Sequence, residues 1–164
     1  MDNDITIESL AARLGNLLKA RKMMLSTAES CTGGGIAAFL TDIPGASEWF
    51  PGGYVTYSNE WKMKLLGVSA ATLEQYGAVS SQTVGEMLEG LLENGGADFG
   101  IAVSGIAGPG GGTPEKPVGT VYIGVAGRDW KRVERWQFGG NRADVRRATA
   151  ETALKMMLEE VEKR

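Results

Sequence analysis

A short turn in the first third of the chain carries two candidate nucleophiles, Ser30 and Cys31. The apolar residues 23–27 predict a strand before this turn, and residues 36–40 predict a helix after it. A helix begins with backbone N–H groups that have no partner within the helix, and its dipole is positive at that end. A serine with backbone donors nearby is the arrangement that acyl transfer uses. The alternative is a helix cap followed by glycines that only pack.

Composition narrows the chemistry that such a turn could perform. The 164 residues include no histidine and one cysteine, which excludes a Ser-His-Asp triad, a Cys-His pair and the usual zinc sites. Any hydrolytic reaction must therefore take its base from Lys, Tyr, Asp or Glu. The sequence contains no evident cluster of carboxylates for Mg²⁺, so we expect neither a metal nor another cofactor.

Lys62 is the natural base for Ser30 in a chain without histidine. A lysine accepts a proton only when it is neutral, so its pKa must be lowered by burial or by a positive dipole. Tyr57 could relay the proton or hold the serine hydroxyl. Alternatives remain for each side chain: Lys62 on a solvated helix face beside Lys64, and Tyr57 as a half-buried strand residue. Cys31 is expected to be a buried structural thiol.

Two further features could bind a ligand. Ser104 opens a glycine-rich segment, residues 105–112, that lacks the Gly-Lys-Ser/Thr ending of a phosphate-binding P-loop. Its amides could still hold a carbonyl or phosphate group, and the alternative is a flexible connection. Three arginines, Arg142, Arg146 and Arg147, begin the last predicted helix, where cations are unfavourable unless an anion compensates them. They suggest an anionic ligand, and a solvated turn is the alternative.

Predicted strands alternate with predicted helices along the chain. Helical spacing of apolar residues predicts a first helix over 5–20. Asn59 is a candidate N-cap of a later helix, and a long last helix is predicted to start at Asn141. Further strands are predicted over residues 54–57, 99–104, 118–126 and 131–138, the last as an antiparallel edge. We therefore expect a single three-layer α/β/α domain with a mixed β-sheet over residues 1–164. In such a sheet the loops bearing Ser30, Lys62 and Ser104 would meet at the carboxyl ends of the strands.

Charge and hydropathy exclude several classes of protein. The 17 basic and 20 acidic residues give a net charge of -3, which argues against a nucleic-acid partner. No apolar run reaches the ~18 residues of a membrane span, and the N-terminus lacks the features of a signal peptide. These observations predict a cytoplasmic protein without a membrane partner, and they are compatible with a homo-oligomer.

Several multi-residue segments resemble one known family. They are Thr27–Gly34, Thr56–Asn59 followed by Lys62, Gly77–Ser80, Ser104–Pro109 and Lys116–Val121. Together, and in this order, they are similar to the CinA C-terminal domain family from about residue 8 to residue 160. The length resembles the stand-alone bacterial form, which lacks the additional N-terminal domain of the other form. Ser104 replaces the threonine of many relatives, and Gly35 and Trp61 replace more usual side chains.

The resemblance implies an activity and a set of site residues. The family's characterised reaction is hydrolysis of the carboxamide of nicotinamide mononucleotide to nicotinate mononucleotide and ammonia, a step of pyridine nucleotide recycling. The resemblance to the family also implies that Ser30, Lys62 and Tyr57 are the catalytic residues. Backbone amides near Gly33–Gly34 or in the segment 105–108 would hold the oxyanion. The candidate substrate-binding residues are Thr32, Gly33, Gly34, Ser104, Gly105, Gly108, Arg142 and Arg146.

Two alternatives to this activity remain at the level of sequence. One is a non-catalytic nucleotide-binding or regulatory protein of the competence/damage-inducible type. The other is an amidase that uses the same serine and lysine on another small amide. Release of ammonia from the mononucleotide distinguishes both from the implied reaction.

Overall fold

The computed structural model describes residues 5–164 and contains six α-helices and five β-strands in that range. In chain order they are α1 (Ile7–Arg21), β1 (Leu25–Glu29), α2 (Gly35–Thr41), β2 (Gly53–Val55), α3 (Asn59–Leu66), α4 (Ala70–Tyr76), α5 (Ser81–Gly95), β3 (Phe99–Gly105), β4 (Thr120–Ala126), β5 (Lys131–Gln137) and α6 (Arg142–Lys163). One turn of 3₁₀ helix, Ala46–Glu48, lies between α2 and β2.

The five strands form one mixed sheet in the order β2-β1-β3-β4-β5. β1 runs parallel to both β2 and β3, whereas β4 and β5 are antiparallel to their neighbours. The carboxyl ends of β2, β1 and β3 therefore lie at the same edge of the sheet. This topology confirms the predicted mixed sheet and the antiparallel edge strand β5, and it brings together the loops that follow the three parallel strands.

Helices cover both faces of the sheet, which confirms the three-layer α/β/α architecture. On one face, α1, α2 and α6 enclose the larger apolar cluster, to which α1 contributes Leu10, Leu14 and Leu18. On the other face, α5 packs on the sheet through residues such as Val84 and Leu88, with α3 and α4 outside it. β1 is buried along its whole length, as expected for a parallel strand covered on both sides.

Some predicted boundaries differ from those of the structure. Ser58, not Asn59, is the N-cap of α3, since its hydroxyl accepts a hydrogen bond from Trp61 N at 3.1 Å. The first strand is shifted toward the C-terminus and ends at Glu29, whose carboxylate is buried in hydrogen bonds that sequence alone did not reveal. The second strand stops at Val55; beyond it Thr56 N still donates to Glu29 O, but the carbonyls of Thr56 and Tyr57 accept from Lys62.

The final helix was predicted to start at Asn141 and begins one residue later, at Arg142; Asn141 is its N-cap and forms a reciprocal capping box with Asp144. α5 is capped by Ser80 and ends at Gly95, and its C-cap, Gly96, has a positive φ of 66°. Within residues 5–164, no helix combines the length and the apolar character needed to cross a membrane.

Candidate active site

Ser30 lies directly after β1, at the edge of the sheet where the parallel strands end. Its backbone N–H donates to Val103 O at 3.2 Å, which extends the pairing of β1 with β3 by one residue. The turn that follows includes Gly33 and Gly34 at φ values of 60° and 98°, a conformation that favours glycine. The neighbouring strand therefore fixes the main chain of Ser30, and the glycines allow the tight turn that follows it.

The side chain of Lys62 is buried, with 1% of its surface exposed, so it does not occupy a solvated helix face. Its Nζ lies 2.9 Å from Ser30 Oγ, 2.8 Å from Thr56 O and 3.2 Å from Tyr57 O. A neutral amine has two hydrogens and one lone pair, and carbonyl oxygens only accept. When the two carbonyls take both hydrogens, the lone pair is left for the hydroxyl of Ser30, which is the arrangement of a general base.

Burial also sets the protonation of Lys62. Removal from water disfavours the ammonium form and lowers the pKa of Lys62 from about 10.5 to about 8, with a smaller opposing effect from Cys31. A lysine with this pKa is neutral in an appreciable fraction of molecules near neutral pH. Lys62 therefore meets the requirement that a lysine be neutral in order to accept a proton.

Cys31 is buried, as expected, and its chemistry differs from that of Ser30. Burial raises the pKa of the Cys31 thiol to about 12, and the charge of Glu29 acts in the same direction. Since the thiolate is the reactive form of cysteine, this thiol is a poor nucleophile near neutral pH. Of the two candidates in the turn, Ser30 is the one in contact with a base.

Tyr57 contacts Lys62 through its main chain. Its carbonyl accepts from Lys62 Nζ, while its side chain is 60% exposed and its hydroxyl accepts from Arg142 Nη2 at 3.0 Å. In the described range 5–164, no hydrogen bond joins this hydroxyl to Ser30. Arg142 Nη1 also donates to Gly108 O at 2.8 Å, so Arg142 links the loops after β2 and β3.

A cavity of about 290 Å³ opens beside Ser30 and Lys62. This volume is near the lower end of the ~300–1,000 Å³ typical of small-molecule sites. The other lining residues are Cys31, Tyr57, Ala78, Val79, Ser104, Gly105, Ile106, Ala107, Gly108, Gly110, Gly111 and Arg142. A larger cleft of about 630 Å³ lies between α5 and the β4–β5 connection, but neither Ser30 nor Lys62 lines it. We therefore place the candidate reaction in the smaller cavity.

The cavity brings together only part of the predicted binding set. Ser104, Gly105, Gly108 and Arg142 line it, whereas Thr32, Gly33, Gly34 and Arg146 do not. The Thr32 side chain is buried and donates to Glu29 Oε1 at 2.5 Å. Arg146 donates to Cys31 O at 3.2 Å and to Thr32 O at 3.1 Å, so these contacts support the chain rather than a ligand.

Glu29 is the residue that sequence reasoning missed. Its carboxylate is fully buried and accepts from Thr32 Oγ1, from Ile36 N at 2.8 Å and from Ala37 N at 3.0 Å. The expectation that the start of α2 offers unpaired donors to a ligand was therefore wrong for Ile36 and Ala37. The available signal was an acidic residue shortly before a helix start, where the helix dipole favours negative charge.

The structure also bears on the two candidate oxyanion sites. Gly33 N already donates to Ser30 O at 3.0 Å, and Gly34 N, which has no acceptor among residues 5–164, belongs to a residue that does not line the cavity. In the segment after β3, Ile106 N donates to Thr120 O, but the amides of Ala107 and Gly108 have no hydrogen-bond acceptor among residues 5–164. Both residues line the cavity with Ser30. This contrast favours the segment 105–108 as the source of donors.

Comparison with known proteins agrees with this fold. The sequence profile of the CinA C-terminal domain matches residues 7–161, and the chain belongs to this family. Among its relatives is the nicotinamide-nucleotide amidohydrolase PncC of Enterobacter agglomerans. The two are 52% identical over 155 residues, which cover 94% of each protein.

Other relatives differ in length or carry another name. The CinA-like protein of Endomicrobium trichonymphae is 52% identical over 156 residues, which cover 95% of this chain but only 36% of that protein. The chain thus spans about a third of the length of that relative. The crystal structure of the competence/damage inducible protein CihA from Agrobacterium tumefaciens superposes with a TM-score of 0.92 at 45% identity, covering 93% of this chain and 94% of that one.

Proposed function

We propose that this chain hydrolyses the carboxamide of nicotinamide mononucleotide to nicotinate mononucleotide and ammonia, as a step of pyridine nucleotide recycling. The observation that carries the proposal is the 2.9 Å distance between Nζ of the buried Lys62 and Ser30 Oγ, two residues that line the same cavity. The substrate is inferred from the name of the Enterobacter agglomerans relative, a nicotinamide-nucleotide amidohydrolase that matches the chain over nearly its full length.

In the proposed reaction, neutral Lys62 accepts the hydroxyl proton while Ser30 Oγ attacks the carboxamide carbon. The backbone amides of Ala107 and Gly108 stabilise the oxyanion of the tetrahedral intermediate. The C–N bond then breaks, and the nitrogen leaves as ammonia with the proton that Lys62 had accepted. In the second half of the reaction, the oxygen of a water molecule attacks the acyl-enzyme while Lys62 accepts a proton from that water. Lys62 then returns the proton to Ser30 Oγ as the acid is released.

Arg142 is the group we assign to the phosphate of the substrate. It lines the cavity, and its exposed guanidinium uses two of its N–H groups on Tyr57 and Gly108. A guanidinium has five such groups, so others remain to bind a phosphate oxygen. Tyr57 holds Lys62 through its carbonyl. Its hydroxyl could take part in proton transfer only if substrate binding brought it to Ser30.

The decisive experiment measures ammonia release from nicotinamide mononucleotide, nicotinamide riboside and free nicotinamide. We expect the mononucleotide to be the preferred substrate, and we expect Ser30→Ala to lose several powers of ten in kcat while it stays folded. Brief incubation of the wild type should yield a covalent adduct on Ser30 detectable by mass spectrometry. Full activity of Ser30→Ala would reject the mechanism, and a preference for another amide would reject the substrate.

A non-catalytic regulatory role is the second candidate, because the structurally similar Agrobacterium tumefaciens protein is described as competence/damage inducible. Such a protein would bind the mononucleotide without releasing ammonia. A buried lysine aligned on a serine hydroxyl has no evident use in binding alone, so the enzymatic proposal is the better supported of the two.

A further inference from the structure

The turn that carries the nucleophile has no regular secondary structure of its own, yet charged groups hold it from two sides. Residues 30–34 lie between β1 and α2, and they include two glycines at positive φ. Glycine makes such a backbone accessible but does not confine it to one conformation. Confinement must come from hydrogen bonds. Ser30 N donates to Val103 O and Gly33 N donates to Ser30 O, and charged side chains add two further sets.

The first set comes from inside the protein. Glu29 precedes the nucleophile, is fully buried, and accepts hydrogen bonds from Thr32 Oγ1, Ile36 N and Ala37 N. One carboxylate therefore ties the turn to the first residues of α2. Hydrogen bonds to an ionised group are stronger than those between neutral groups. Breaking them costs more free energy when the group is buried, because water cannot replace the lost partner.

The second set comes from α6, which is remote in sequence. Arg146 Nε donates to Cys31 O at 3.2 Å, and Arg146 Nη2 donates to Thr32 O at 3.1 Å. Thr32 is thus bound from both sides, because its hydroxyl donates to Glu29 and its carbonyl accepts from Arg146. Only one residue separates Thr32 from Ser30.

We propose that Glu29 and Arg146 are positioning residues that fix Ser30 Oγ against Lys62 Nζ by holding Thr32 from two sides. In this assignment Arg146 is not a ligand of the substrate phosphate, and the three arginines of α6 have separate tasks. Arg142 lines the cavity, Arg146 holds the turn, and Arg147 lies over the ring of Phe39, 5.6 Å from its centroid. The inference rests on the proposed function only for its substrate.

Kinetics on substrates with and without a phosphate separate these tasks. We expect Arg146→Met and Glu29→Gln to lower kcat roughly 10- to 100-fold on both the mononucleotide and the riboside, with KM little changed, because a misplaced nucleophile slows chemistry. Arg142→Met should raise KM for the mononucleotide more than for the riboside. Arg147→Met is the matched control on the same helix and should retain wild-type kinetics.

Labelling of Ser30 by a fluorophosphonate tests positioning without the proposed substrate. We expect Arg146→Met and Glu29→Gln to label at least tenfold more slowly than the wild type, and Arg146→Lys to recover part of the rate. In all variants the labelling rate should still rise with pH near the pKa of Lys62. Arg146 is exposed, so we expect Arg146→Met to stay folded. This variant therefore tests the inference even if Glu29→Gln does not fold. Wild-type labelling by folded Arg146→Met, or a loss of activity confined to the mononucleotide, would overturn the inference.

The same measurements distinguish this inference from the proposed function. A wild-type protein that labels at Ser30 but releases no ammonia from the mononucleotide would reject the substrate, and labelling rates would then decide the positioning roles alone. If Ser30 does not label at all, hydrogen exchange of the amides of residues 30–34 decides. Faster exchange in Arg146→Met than in Arg147→Met supports a held turn, and equal exchange contradicts it.

Discussion

At the scale of single residues, the contact between Ser30 and Lys62 depends on how each side chain is solvated. Lys62 is 1% exposed and has a lowered pKa, whereas the neighbouring Cys31 is buried and has a raised pKa. Desolvation disfavours the charged form in both cases, which makes the lysine a better base and the cysteine a poorer nucleophile. In the proposed reaction, one local environment thus favours serine over thiol chemistry.

The pH dependence of the reaction follows from Lys62. A base must be neutral, so we expect kcat/KM to rise with pH and to level off above about 8, the pKa of Lys62 in the folded protein. Lys62→Arg should be inactive although folded, because a guanidinium does not give up its proton. The measurement is kcat/KM between pH 6 and pH 10. A limb near the ~10.4 of a free lysine, or an active Lys62→Arg variant, would remove Lys62 from the role of base.

The thiol of Cys31 gives a second prediction at this scale. With a pKa of about 12, Cys31 is protonated at neutral pH and should react only slowly with iodoacetamide in the folded protein. Cys31→Ala should keep activity within about tenfold of the wild type, since small buried cavities mainly cost stability. Rapid alkylation that abolishes activity, together with an inactive Cys31→Ala, would point to cysteine as the nucleophile.

At the scale of elements, α3 carries Lys62 and is held against α5 by a close approach of their backbones. A Cβ added at Gly90 of α5 would lie 1.8 Å from Leu66 O, at the end of α3. Main chain cannot move aside as a flexible side chain can, so only glycine fits here. The position of Lys62, the proposed base, therefore depends on a small residue in a different helix.

Gly90→Ala should consequently displace α3 and lower both stability and kcat. We expect a loss of about 1–3 kcal/mol in the free energy of unfolding, typical of overpacking. Gly85→Ala in the same helix is the matched control, because its added Cβ would meet only the flexible end of Lys131, at 3.2 Å. That variant should be neutral or more stable by up to about 1 kcal/mol, since alanine favours helix. Equal effects of the two substitutions would contradict the proposed coupling.

At the scale of the whole molecule, burying Lys62 costs stability that the chain must recover elsewhere. The pKa of Lys62 is about 8 when folded and near 10.5 when exposed, so between these values the unfolded state binds more protons than the folded one. Stability of the wild type from this group therefore rises with pH between about 8 and 10.5. Below pH 8 the full penalty applies, about 3 kcal/mol for this shift.

Lys62→Met should show the opposite side of this balance. The variant loses the donors to Thr56 O and Tyr57 O at every pH, but it also loses the buried charge. Its free energy of unfolding relative to the wild type should therefore be most favourable below pH 8 and should fall as pH rises to 10.5. Denaturant titrations at pH 7 and pH 10.5 measure this difference. A difference that is independent of pH would show that the charge of Lys62 carries no folding cost.

The sequence by itself determined the local parts of this protein. Apolar spacing predicted α1, α5 and α6, because a helix that packs on one face must repeat its apolar residues at the helical period. The absence of histidine limited the base to Lys, Tyr, Asp or Glu, which made Lys62 a candidate but left a solvated helix face as its alternative. These conclusions need only neighbouring residues or a count over the chain.

Only the tertiary structure decided how distant side chains divide their tasks. Arg146 and Arg142 are four residues apart and chemically identical, yet one contacts Cys31 O from 115 positions away and the other contacts Tyr57 and Gly108. Glu29 is an ordinary acidic residue in sequence and a fully buried carboxylate in the fold. Burial and long-range hydrogen bonds arise only when separate elements pack together, and they set both the pKa of Lys62 and the contacts of the nucleophile turn.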